Sequence, residues 1–85
     1  SPAYDDWQVV YDFVGASGTV RRSAVSKFKP RLFMGSLAVN DVISTTGLTG
    51  SYTIRLRVSE PYRGNMPVEV KRNADNTVNL LTLTL

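Results

Sequence analysis

The side chains in this sequence able to act as acid or base near neutrality are seven carboxylates, because the 85-residue chain contains neither histidine nor cysteine. The missing histidine removes the commonest general base and the commonest transition-metal ligand. The missing cysteine removes thiol chemistry, zinc thiolate sites and any disulfide. Triads built on Ser-His or Cys-His pairs are therefore impossible. Asp5 and Asp6 are adjacent. In an extended chain they point to opposite sides, which is poor geometry for a cooperating pair. Asp12, Asp41, Glu60, Glu69 and Asp75 are scattered. No calcium loop, phosphate-binding glycine loop or nucleophile elbow appears. The sequence thus predicts a protein that is not an enzyme, with no cofactor, metal or small-molecule substrate.

The cations offer a different chemistry. Residues 1–20 carry three acids and no base, whereas Arg21, Arg22, Lys27, Lys29 and Arg31 follow with no acid among them. Arg55, Arg57, Arg63, Lys71 and Arg72 form a later basic set. Arg55, Arg57 and Lys71 are candidates to line one sheet face and contact the phosphates of a nucleic acid. Aromatic residues alternate into the expected core and do not join these arginines, which argues against base stacking. The acidic start and basic middle also suit contact between copies through complementary patches.

Apolar chemistry supplies the third set. Leu81, Leu83 and Leu85 lie at the parity opposite to Val78 and Leu80, where a one-sided sheet would carry polar residues. A bulge near Leu80-Leu81 is one explanation. A strand buried on both sides is another. An exposed leucine row used for assembly is the third. Tyr62 and Arg63, residue types common at interfaces, sit in a loop bounded by Pro61 and Gly64. Trp7 and Tyr62 are the aromatic candidates for a carbohydrate platform, although the apolar residues alternating with Trp7 favour a core position for it.

These groups must be positioned by strands. Alternation dominates the sequence and no convincing 3.6-residue apolar stripe is present. A strand is expected over Trp7–Val14, with Trp7, Val9, Tyr11 and Phe13 facing the core and Gln8, Val10, Asp12 and Val14 facing away. The turn Gly15-Ala16-Ser17-Gly18 leads to an edge strand over Thr19–Phe28, its Val20, Ala24 and Phe28 on one face and Arg21, Ser23, Val25 and Lys27 on the other. Pro30 ends it. Over Arg31–Thr45, Val and Ile around Asn40-Asp41 favour two short strands and a turn over a helix. A loop over Thr46–Gly50 precedes the cleanest strand, Ser51–Ser59, with Tyr52, Ile54, Leu56 and Val58 inward. Met66–Arg72 and Thr77–Leu85 are expected to form a hairpin around Asn73-Ala74-Asp75, pairing Val70 with Val78 and Val68 with Leu80.

An apolar content of 42% with 20% charged residues is that of a folded domain. The apolar runs are too short to span a bilayer as helices. The expectation is one all-β domain over residues 1–85, with residues 1–5 a flexible lead-in. It is a small antiparallel β-sandwich, Ig-like or similar, or alternatively a small β-barrel. The leading functional expectation is a structural or protein–protein interaction module, a homo-oligomer or unit of a larger assembly such as a virion, pilus, secretion or cell-surface component. A nucleic-acid-binding barrel and a carbohydrate-binding module are the alternatives. The absence of cysteine does not fix the compartment, with an extracellular, virion or periplasmic setting preferred.

Overall fold

The computed structural model describes residues 8–28, 39–58 and 73–85. Those residues are all-β. Four strands, β1 (Val9–Gly15), β2 (Val20–Val25), β3 (Ser51–Val58) and β4 (Val78–Thr84), form one open antiparallel sheet in the order β2-β1-β3-β4. No helix occurs among the described residues. None is therefore long and apolar enough to cross a membrane. The expected strands at Met66–Arg72 and over residues 31–38, and the positions of Trp7 and Pro30, lie outside the described residues.

β1 is the centre of the sheet's logic. Its Val, Tyr and Phe residues suit a pleated surface, and it pairs with β2 on one side and β3 on the other. The sequence expectation gave β1 one buried face. Instead, Val10, Asp12 and Val14 are as buried as Phe13. A strand with neighbours on both sides and cover on both faces reads as a nearly continuous apolar run, and Val9-Val10-Tyr11-Asp12-Phe13-Val14 is one, broken only by the carboxylate.

One face carries the core cluster of Phe13, Leu48, Tyr52 and Ile54, against which Tyr11, Ile43 and Leu83 pack. The Phe13 and Tyr52 rings meet edge to face, 6.2 Å between centroids. Leu48 and Ile43 belong to the segment 39–50, which crosses this face between β2 and β3. The strands expected toward Thr45 are not formed over residues 39–45. Side chains hold the segment in place. Arg22 donates to the carbonyls of Ser44 at 2.8 Å and Thr46 at 2.5 Å. Tyr52 donates its hydroxyl to the Thr49 carbonyl at 2.8 Å.

β2 is at the edge of the described sheet, as the alternation of charge and apolar residues predicts, but its faces differ from expectation. The register shifts between Phe13 and Val14, so that Phe13 opposes Arg22 while Val14 opposes Val20. Arg21 is the extra residue. This bulge moves Val20 to the face of Ser23 and Val25, and both valines are exposed there.

Two turns share one form. Gly15 donates to the Thr19 carbonyl and Gly18 to the Gly15 carbonyl, both at 2.9 Å, with Gly18 at φ 85°. Asn73 donates to the Thr77 carbonyl at 2.7 Å and Asn76 to the Asn73 carbonyl at 3.0 Å, with Asn76 at φ 67°. Each is a three-residue loop whose last member is left-handed. The second loop has the expected length but encloses Ala74–Asn76, one residue later than the expected Asn73–Asp75. The reason is local. Asn tolerates positive φ, and Asp75 ties down Thr77 through its backbone N–H at 3.2 Å and its hydroxyl at 2.6 Å.

Candidate interaction surfaces

The polar candidates meet on the face opposite the Phe13 cluster. Ser23 and Arg55 lie directly across from Asp12 on its two sides. Arg57 lies one diagonal step further along β3, within reach of a long side chain. Arg57 donates from Nε to Asp12 Oδ2 at 2.7 Å and from Nη2 to Oδ1 at 3.4 Å. Ser23 donates its hydroxyl to Oδ1 at 2.5 Å. The Asp12 side chain is 7% exposed and that of Arg57 is 40% exposed. Burial pushes the Asp12 carboxyl up, but the bonds from Arg57 and Ser23, with the charges of Arg57 and Arg55, more than offset it. Its pKa lies below the usual carboxylate range.

This arrangement bears directly on the basic face. Arg55 and Arg57 do share a face, and Lys71 lies outside the described residues. Arg57 is committed to a buried carboxylate, so the pair presents little net charge outward. Arg55 donates from Nε to Asn79 at 3.4 Å. Sequence reading counted Asp12 among scattered acids and missed its role. A lone carboxylate within an apolar run was the available signal, since such a group is stable only when paired.

A second carboxylate has a comparable positioning role. Asp41 Oδ2 accepts the hydroxyls of Tyr11 and Ser26, both at 2.6 Å, and Oδ1 accepts the Lys27 backbone N–H at 3.0 Å. The Ser26 and Tyr11 bonds, then the backbone bond, hold the Asp41 carboxyl below its ordinary pKa. Burial, followed by the bond to and charge of Asp41, raises the Tyr11 phenol. Asp41 thus fastens the chain on either side of residues 29–38 to β1. Among the described residues no group of His, Cys, Asp and Glu is placed to hold a metal ion. No buried polar side-chain atom there lacks a partner.

The leucine question has a geometric answer. Along β3, Leu56 opposes Val78 and Arg55 opposes Asn79, but Ile54 opposes Leu81 and Tyr52 opposes Leu83. Leu80 is the extra residue of a bulge. It transfers the apolar parity from Val78 to Leu81, Leu83 and Leu85, all on the Phe13 face, and places Asn79, Thr82 and Thr84 on the other. The bulge is one of the three explanations that the sequence pattern left open, and it falls at the expected place. The row is unevenly covered: Leu83 packs against the core, whereas Leu80, Leu81 and Leu85 are 45%, 54% and 41% exposed. Tyr62, Arg63 and Trp7 lie outside the described residues.

No family model, curated protein or solved structure matches the chain.

Proposed function

We propose that this chain is a non-catalytic structural module whose copies associate, a building unit of a larger assembly such as a virion, pilus, secretion or cell-surface structure. The observation that carries the reading is the exposure of Leu80, Leu81 and Leu85 along the β4 end of the sheet. Apolar side chains grouped at one sheet edge are costly to leave in water, at about 25 cal/mol per Å² of apolar surface. Burial of Val10, Asp12 and Val14 on the face opposite the Phe13 cluster supports a two-layered, sandwich-like domain over a barrel. Sedimentation over a wide concentration range tests association. A species that grows with concentration is expected. A monomer at the highest concentration, with no partner recovered in pull-down, would sink the reading.

The nucleic-acid alternative retains Arg55 and the exposed Arg21 and Lys27 as support, but the Asp12–Arg57 pair weakens it. Its mark would be RNA or DNA binding that falls steeply with added salt.

A further inference from the structure

The segment that crosses the Phe13 face is fastened in two unlike halves. Over residues 45–50 the backbone itself is bonded. Leu48 donates to the Thr45 carbonyl at 3.0 Å, and Gly50 and Leu85 exchange bonds at 3.0 and 2.8 Å. Leu48 is buried in the core cluster. Arg22, whose charge does not titrate, grips the Ser44 and Thr46 carbonyls. Residues 39–44 are held differently. No backbone–backbone hydrogen bond joins them to another described residue. Ile43 is the one residue among them packed against the core cluster. Ahead of the Ser44 carbonyl, their polar hold on the described sheet is the Asp41 carboxylate.

Three donors from two parts of the chain converge on that carboxylate. Tyr11 of β1 and Ser26, just beyond β2, give their hydroxyls to Oδ2, and Lys27 gives its backbone N–H to Oδ1. The Lys27 ammonium adds its charge, and the Tyr11 phenol, raised above its ordinary value, stays neutral in acid. Bonds to an ionised acceptor are roughly twice as strong as neutral ones. A proton on Oδ1 would face the Lys27 N–H, which cannot accept it. A proton on Oδ2 would force one of the two hydroxyls to turn round or leave. Either way the latch loses its charge, and at least one of its bonds must break or reverse.

We infer that residues 39–44 form a strap, latched at Asp41 and hinged at the Arg22-held turn, which opens as a unit in acid while the four-strand sheet stays formed. Local opening belongs to segments with few buried contacts and few protected backbone bonds, and these residues have both features. The bonds to Asp41 hold its carboxyl below the ordinary value. The latch is therefore whole above about pH 3.9 and loosens as pH falls through the lower, folded value. Opening withdraws Ile43 from the cluster, and Leu48 stays in place behind the hinge.

NMR of the full chain reads the strap and the sheet separately. Contacts between the Ile43 methyls and the core cluster report the strap. Contacts between Leu48 and Tyr52, with protection of the β1–β3 amides, report the sheet. As wild-type chain is taken from pH 7 into acid, the Ile43 contacts are expected to vanish while the second set persists. Asp12 and Asp75 also titrate in acid, so two variants assign the opening to Asp41. Asp41→Ala should lose the Ile43 contacts already at pH 7, with the sheet signals kept. Tyr11→Phe removes one donor and should move the opening to higher pH. Loss of strap and sheet in a single transition would overturn the inference, as would an Asp41→Ala chain that does not fold, since both make the strap inseparable from the sheet. Ile43 contacts that survive in Asp41→Ala, or an opening unmoved by Tyr11→Phe, would overturn Asp41 as the latch.

Discussion

Arg57→Met and Asp12→Asn break the same ion pair, yet the structure predicts unequal damage. Methionine keeps the apolar stem of Arg57 packed but leaves the Asp12 carboxylate buried with only Ser23 bonded to it. Losing one partner of a buried pair costs about 3–5 kcal/mol. Arg57 is 40% exposed and Arg55 shares the face, so solvent screening and the second cation reduce this to about 2–4 kcal/mol. The reverse change is milder. In Asp12→Asn the half-exposed guanidinium turns to water, and the amide oxygen still accepts from Ser23, so the loss is about 1–2 kcal/mol. A domain of this length has a total stability of roughly 4–13 kcal/mol, so both variants are expected to fold and the difference is measurable. The assay is urea denaturation followed by circular dichroism at one low protein concentration, repeated across pH. In the wild type the Asp12 pKa is depressed, so its contribution is present above the ordinary carboxylate value of about 3.9 and is lost as pH falls through the folded value. In Arg57→Met burial dominates and raises the folded pKa. That contribution is full below the ordinary value and lost as pH rises through the raised one. Asp41 and Asp75 titrate alike in both proteins, so the gap between wild type and Arg57→Met should narrow from about pH 7 to about pH 4. A gap independent of pH, or Asp12→Asn proving the more damaging, would refute this account.

Tyr11→Phe removes one donor from Asp41 and should cost about 1 kcal/mol in urea midpoint analysis; it should also raise the Asp41 pKa toward its ordinary value, which carboxylate NMR titration reads. An unmoved Asp41 would show that the Tyr11 bond does not hold in solution. Gly18→Ala should cost about 1 kcal/mol through backbone strain alone, since Gly18 is at φ 85° and an added Cβ would meet nothing within 4 Å; a neutral outcome would mean the turn relaxes to another form. Deleting one leucine of Leu80-Leu81 removes the bulge while keeping every β3–β4 pair, so stability should change by less than about 1 kcal/mol. Loss of the folded circular dichroism signal would show instead that the bulge is needed to bend the strand.

Four strands and both turn sites were legible in local pattern. Tyr52, Ile54, Leu56 and Val58 alternate cleanly because β3 has one face toward the core and one toward polar neighbours. Gly15–Gly18 announced its turn through residues that accept positive φ. The change of apolar parity at Leu80-Leu81 offered the bulge as one of three explanations, because parity cannot change in a regular strand. Three features lay beyond this kind of reading, each because it depends on what comes from elsewhere in the chain. β1 is a central strand only because β3 returns beside it, and its Asp12 face is as buried as its Phe13 face. Asp12 is a structural anchor only because Arg57, forty-five residues away, arrives one diagonal step along that neighbour. The segment 39–45 keeps its Val and Ile out of strands because Asp41 and Arg22 fasten it across the sheet, where it pairs with no strand among the described residues. The sequence by itself thus marked the regions of β1 to β4 and offered a bulge at Leu80-Leu81 as one way for β4 to change face. Tertiary structure decided which strands are neighbours and hence which charges are spent internally. Strand identity is a local property of alternation and turn chemistry, whereas pairing brings together residues whose separation no local pattern encodes.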